Sequence, residues 1–155
     1  MSEVETSIDI AATPEEVWAM AMDPERLADW VTIHRRLHHH SGGRVRRGYE
    51  MEQTLHLRGV NFKVHWELVR CEYPFHAEWH GRGPARSHAE TEYRLTANDR
   101  GGTHFGYRND FRGPLGPLGA IASRALVGGL PKREADASLQ RLKALVERGG
   151  TLSAT

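Results

Sequence analysis

From Tyr49 to Phe111 apolar and polar residues change places at almost every step of the chain. Tyr49, Met51, Gln53, Leu55 and Leu57 share one phase, and Val60, Phe62, Val64, Trp66 and Leu68 repeat it. Phe75, Ala77 and Trp79 follow, then Ser87, Ala89, Thr91, Tyr93 and Leu95, then Thr103, Phe105, Tyr107, Asn109 and Phe111. The opposite phase is nearly all polar, with His65, Glu67, His76, Glu78, His80, His88, Glu90, Glu92, Arg94, His104 and Arg108 among its members. Successive side chains of a strand point to opposite faces, so this period of two predicts an antiparallel sheet with one dry face and one wet face. Gly59, Tyr73-Pro74, Gly81 to Pro84 and Asn98 to Gly102 stand where the turns are needed.

A dry sheet face must be covered, and the end of the chain supplies the cover. Between Pro114 and Arg148, Leu118, Ile121, Ala122, Ala125 and Leu126 recur at helical spacing. After an interruption at Gly128-Gly129-Leu130-Pro131, Leu130, Ala135, Leu139, Leu142, Leu145 and Val146 continue the stripe. Proline has no amide hydrogen and its ring clashes with the preceding turn, so a kink or a break is expected there. Such a break either gates the first half of the helix or only bends it along a curved sheet. Residues 149–155 read as a frayed, flexible tail, which leaves one domain over residues 1–148.

The front of the chain fits the same plan. Glu3 to Ile10 alternates as an opening strand. Thr13-Pro-Glu-Glu16 then carries a capping threonine, a proline at the first helical position and the glutamate of a capping box. Asp23-Pro24 starts a second short helix through Leu27 to Trp30. His34 to Gly43 holds a short strand before the Gly42-Gly43 turn.

Composition excludes several function classes. The 155 residues carry a formal net charge of +1, with 26% charged side chains. That balance argues against a nucleic-acid partner, which calls for a basic stripe. Arg44-Val-Arg-Arg47 is short and reads as a solvated turn. Cys71 is the single cysteine, so an intramolecular disulfide and a cysteine-based zinc site are both excluded. No run approaches the roughly 18 apolar residues of a membrane span, so no integral membrane segment is expected and a cytoplasmic location is the default. No Gly-x-Gly-x-x-Gly, Walker or Ser-His-Asp pattern appears in a credible context, so no cofactor is expected.

Two stretches, Ile8-Asp-Ile-Ala-Ala-Thr-Pro-Glu-Glu-Val-Trp18 and Asp23-Pro-Glu-Arg-Leu-Ala-Asp-Trp30, resemble the START-related, polyketide-cyclase-like superfamily that also contains the birch-pollen allergens. Gly101-Gly-Thr103 and the Leu139-x-x-Leu-Lys-x-Leu-Val-Glu147 ending extend the resemblance over nearly the whole chain. It implies an α+β helix-grip fold, with a curved antiparallel sheet of about six to seven strands wrapped around a long C-terminal helix and two short helices after the first strand. It also implies a cavity between sheet and helix that takes a hydrophobic small molecule, without naming one. These are structural signatures and carry no catalytic group.

The dry face is rich in large aromatics with a few polar groups among them, which is the make-up of a small-molecule pocket or of a solid core. The candidate ligand-binding residues are Trp30, Tyr49, Gln53, Phe62, Trp66, Trp79, Thr91, Tyr93, Tyr107, Asn109 and Phe111, with Ala122 and Leu126 from the helix. Trp66-x-x-x-Arg70 is similar to a Trp-x-Ser-x-Arg strand of aromatase/cyclase members, but Leu68 stands where the serine would be. If Arg70 stays in phase it can pair with an anionic oxygen at the cavity mouth; otherwise it is solvated at the strand end. His34, following the helix that bears Trp30, is the other weak catalytic candidate. The densest of the ten histidine positions are His34 and His38 to His40, yet three consecutive histidines cannot all face one ion, so no metal is expected. The remaining outward histidines read as exposed cross-strand pairs with glutamates.

Three functions stay open: a binder or carrier of an apolar, aromatic or lipid-like molecule; a polyketide aromatase/cyclase or dehydratase; and an interaction module. The last would pair with a protein or a second copy of the chain through Leu115 to Leu130 or a sheet edge.

Overall fold

The computed structural model describes residues 2–113 and 129–153. In chain order the elements are β1 (Ser2–Ile10), α1 (Pro14–Ala21), a 3₁₀ turn (Pro24–Arg26), α2 (Leu27–Trp30), β2 (His34–His40) and β3 (Glu50–Leu57). They continue with β4 (Val60–Glu72), β5 (His76–Arg82), a second 3₁₀ turn (Pro84–Arg86), β6 (His88–Ala97), β7 (Thr103–Arg112) and α3 (Lys132–Ser153). Seven strands form one antiparallel, curved sheet in the order β1-β7-β6-β5-β4-β3-β2. With α3 laid across its dry face, this is the helix-grip fold.

Local chemistry sets the boundaries. Thr13 Oγ1 accepts from the Glu16 amide at 3.2 Å and Pro14 opens α1, while Asp23 Oδ1 caps the 3₁₀ turn through the Glu25 amide at 3.0 Å. Strands β3 and β4 meet at Arg58-Gly59, both with positive φ (51° and 80°), the mirror-image turn that matches strand twist. The register Gln53↔Val64, Met51↔Trp66 and Trp66↔Gly81 puts the predicted dry residues on one face.

Helix α3 buries Ala135, Leu139, Leu142 and Val146, all at 5% exposure or less. These positions recur every three to four residues, one stripe on a 3.6-residue helix, and each buried leucine contributes about 1.5–3 kcal/mol. Polar ties fix the helix beside β1: Thr6 Oγ1 donates to Asp136 Oδ1 (2.6 Å), the Ala11 amide to Glu147 Oε2 (2.8 Å) and Lys143 Nζ to the Asp9 carbonyl (2.9 Å).

Several expectations change. Ahead of α3, Gly129 has φ +65°, and the helix starts at Lys132 with its first turn closed by the Glu134 and Ala135 amides on the Pro131 carbonyl; whether a helix precedes it, and so the expected break, lies outside the described residues. The helix also runs on through Ser153, into the stretch expected as a tail. Phe75, placed in the dry phase, is 53% exposed because it belongs to the Tyr73-Pro74 turn ahead of β5. The first half of the expected grip helix, with Ala122 and Leu126 and most of the Leu115 to Leu130 surface, lies outside the described residues. Among the described residues no helix is long and apolar enough to cross a membrane.

Candidate functional site

Between the dry face and the helices lies a cavity of about 100 Å³. Gln53, Phe62, Trp66, Trp79, Thr91, Tyr93, Tyr107, Asn109 and Phe111 line it from the sheet, where the alternation of the strands places them, and Trp30 lines it from α2. The sequence reading missed the rest of the helical side of the wall, which includes Met22, Leu27, Val31, Ile33, Ala135, Ser138 and Leu139. Their signal was present as the apolar stripe of α3 and the short helices, but spacing alone does not say which apolar residue touches open space. Among the described residues no charged side chain lines the cavity.

The polar groups of the wall are mostly spoken for. Trp66 Nε1 donates to Gln53 Oε1 at 2.9 Å, and Gln53 Nε2 donates to His34 Nδ1 at 2.7 Å. Trp66 reaches Gln53 as a diagonal neighbour across β3 and β4, and its ring lies on Gly81 of β5. A Cβ at Gly81 would come within 2.8 Å of that ring, so only glycine leaves the space. Asn109 Nδ2 donates to Thr91 Oγ1 at 2.8 Å, and Ser138 Oγ accepts from the Thr32 amide at 3.1 Å. Tyr93 stacks on Tyr107 (centroids 5.9 Å apart) and leans on Trp30 (6.0 Å). Burial pushes the phenols of Tyr93 and Tyr107 far above the usual tyrosine range, so both remain protonated. Trp30, only 1% exposed, has an indole N–H without a hydrogen-bond partner among the described residues.

At one end of the wall, Gly129 and Leu130, just ahead of α3, join the lining. Arg58, from the β3–β4 turn, donates to the Gly129 carbonyl at 2.9 Å. The segment leading into α3 is thus tied to the sheet at the edge of the cavity.

His34 is half-buried and reaches the cavity only through Gln53. Burial pushes its imidazole below the ordinary histidine value, and its Nδ1 is an acceptor, so the neutral ring carries its proton on Nε2. Arg70 does not stay in phase. A bulge between Leu68 and Arg70 shifts the register so that Arg70 faces Glu78 on the wet side. There its side chain is 52% exposed and sits 3.5 Å from Glu72 and 3.8 Å from Glu78. A cavity-mouth role for Arg70 is therefore corrected. Tyr49 is corrected too. It precedes the β3 ladder, hydrogen-bonds His40 Nδ1 and the Gly42 amide (3.3 Å), and lines an outer depression with Trp18 and Tyr73 instead of the cavity.

On the wet face the register assembles groups that lie far apart in the chain. His76, Glu78 and Glu92 form one trio, and Glu78, His80 and Glu90 another, each with its candidate ligand atoms within 4.8 Å of one another. Such trios have the donor set of a metal site, and they are not the His34 and His38 to His40 cluster that stands out in the sequence. Their carboxylates already have partners: Glu92 takes His76 at 2.6 Å, Arg94 at 3.1 Å and Arg108 at 3.2 Å. Burial works against the Glu92 charge, but the hydrogen bonds from His76 and Arg108 outweigh it and hold the carboxyl below its usual range.

The model of a family described as polyketide cyclase / dehydrase and lipid transport matches residues 1–147. An uncharacterized protein of Mycobacterium tuberculosis, Rv1546, is 26% identical over 137 residues, covering 85% of this chain and 93% of its own. A protein of the same organism described as Toxin Rv0910 is 27% identical over 128 residues, covering 81% and 88%. Among solved structures, TTHA0849 from Thermus thermophilus superposes with a TM-score of 0.74 at 18% identity, over 95% of this chain and 98% of that one. The Zhui aromatase/cyclase of Streptomyces sp. R1128 superposes with a TM-score of 0.72 at 15% identity, over 94% and 93%. At these identities the structural likeness speaks for the fold alone.

Proposed function

The chain belongs to the polyketide cyclase / dehydrase and lipid transport family, and from that premise we propose that it binds a hydrophobic small molecule in the cavity under α3. The observation that supports this most is the wall itself: aromatic and aliphatic, with the Gln53 and Asn109 amides and the Thr91 and Ser138 hydroxyls hydrogen-bonded and no charged side chain among the described residues. Burial of an apolar ligand there gains roughly 25 cal/mol per Å² of apolar surface removed from water.

The same wall speaks against a cyclase or dehydratase, which needs a group that takes and returns a proton. Tyr93 and Tyr107 hold their protons too tightly to serve as bases. Among the described residues, His34 leaves the enzyme reading a foothold, because Gln53 connects its Nδ1 to the cavity.

Titration with aromatic hydrocarbons from benzene to pyrene, followed by tryptophan fluorescence, tests the proposal. Saturable one-to-one binding is expected. Tyr93→Glu places a charge in the wall and Leu139→Phe fills the space from the helix side, and both should abolish binding while circular dichroism still reports a folded chain. Unaltered binding in both folded variants would rule the cavity out as the site.

A further inference from the structure

The wet face of the sheet carries chemistry that the cavity does not use. In the register of β5, β6 and β7, Glu78 stands opposite Glu92, His80 opposite Glu90, and Glu90 in turn opposite Asp110. Four carboxylates thus lie on three neighbouring strands, in two directly opposed pairs, an arrangement that repels itself. His80 and Glu90 also line a depression of about 350 Å³ on this face, together with His65, Glu67, His88 and Asp110.

Two of the carboxylates converge on one imidazole. His80 Nε2 is 3.0 Å from Glu78 Oε1 and 3.8 Å from Glu90 Oε1, and one donor atom from each of the three residues lies within 4.8 Å of the other two. A single ring nitrogen has one proton to give, so it serves Glu78, and the Glu90 contact is longer than a hydrogen bond. The second oxygens of both glutamates face arginines: Glu78 Oε2 lies 3.8 Å from Arg70 Nε, and Glu90 Oε2 lies 3.9 Å from Arg108 Nη2. That leaves both Oε1 atoms on the His80 side.

Zinc holds imidazole nitrogen and carboxylate oxygen at about 2.0–2.2 Å, and tetrahedral angles then set the donor atoms about 3.3–3.6 Å apart. The observed 3.0 and 3.8 Å bracket that spacing, so small rotations of the glutamate side chains complete it. The side chains of Glu78, His80 and Glu90 are 21%, 47% and 38% exposed, so an ion and its water can reach them. The neighbouring trio lacks this freedom, because Glu92 is already gripped by His76, Arg94 and Arg108.

We propose that Glu78, His80 and Glu90 form a site for a divalent transition-metal ion of the zinc type, bound through His80 Nε2 and one oxygen of each glutamate. The fourth position opens to water in the depression. The ion takes the place of the proton that Nε2 gives to Glu78, and the neutral imidazole keeps its proton on Nδ1. The site lies on the face of the sheet away from α3 and stands whether or not the cavity takes a ligand.

Titration calorimetry of the untagged chain with zinc chloride, in a buffer that does not bind metal, tests the site. One zinc per chain with micromolar affinity is expected. His80→Gln and Glu90→Gln, both at exposed positions, should each weaken binding more than about 100-fold, since even outer-shell partners of a metal are worth about 10–100-fold. His39→Gln disrupts the competing run of His38 to His40 and should leave the affinity unchanged. In a ¹H–¹⁵N spectrum of the histidine rings, the assigned His80 Nε2 signal of the native protein should move on zinc binding, a readout that holds even if a variant does not fold. Native-like affinity in either folded variant, loss of binding in His39→Gln, or an unmoved His80 signal in zinc-saturated protein overturns the site. So does a native affinity no tighter than millimolar.

Discussion

Trp66 Nε1 donates to Gln53 Oε1 at 2.9 Å across β3 and β4, and both side chains are more than nine-tenths buried. The bond turns the edge of a large aromatic toward an amide whose other end is held by His34. Gln53→Leu keeps the bulk but leaves the indole N–H without an acceptor in a dry wall. The expected cost is about 1–3 kcal/mol, read from the urea midpoint at unchanged m-value.

Gly81→Ala tests the other constraint on Trp66. The added methyl would lie 2.8 Å from the indole ring and 2.8 Å from Val64 Cγ1, both inside the core. Relieving the clash means moving the ring off its Gln53 partner or shifting β5. A destabilisation of about 1–3 kcal/mol is expected, together with a changed tryptophan emission spectrum. An unchanged melting temperature would show that the sheet opens there at little cost.

His34 gives the fold a pH dependence with a definite sign. Burial holds its pKa below the unfolded value of 6.5, so the unfolded chain takes up a proton more readily than the folded one. Its contribution is complete above about pH 6.5, declines as the pH falls through that value toward the folded pKa, and is constant below it. Melting temperatures of the native protein and His34→Asn between about pH 7.5 and 5 isolate this contribution: the variant should show a shallower decline over this range. Glu92, held below its usual value of 4.5, acts in a separate and more acidic window, where its stabilisation is lost as the pH falls.

Leu139 and Leu142 separate packing from binding. Both are essentially unexposed, but only Leu139 lines the cavity. Each truncation to alanine should cost about 2–5 kcal/mol in a denaturant titration. Leu139→Ala should in addition admit a larger ring system than the native protein does, and Leu142→Ala should leave ligand size unaltered.

How much of the fold and of the cavity was legible in the sequence depends on what sets each part. Alternation revealed the dry face because the strands of the meander each have one wet side, and the sheet residues of the cavity wall follow from phase alone. Phase fails where the ladder is interrupted. The bulge after Leu68 turns Arg70 outward, the turn before β5 releases Phe75, and the position of Tyr49 ahead of the β3 ladder sends its hydroxyl to His40. No local pattern announces a bulge. The His76, Glu78, Glu92 and Glu78, His80, Glu90 trios were hidden for another reason: they exist only once the β5–β6 register is set. The Trp30 N–H was equally unreadable, since a missing partner is a property of the packed wall.

Native mass spectrometry of the freshly purified protein, followed by addition of the aromatic hydrocarbon probes, tests the binding role most directly. The expected result is either a co-purifying apolar molecule at one per chain or an empty protein that takes up one apolar probe. A protein that is empty when purified and takes up no apolar compound of any size would contradict the binding role. The aromatics would then be a solid core.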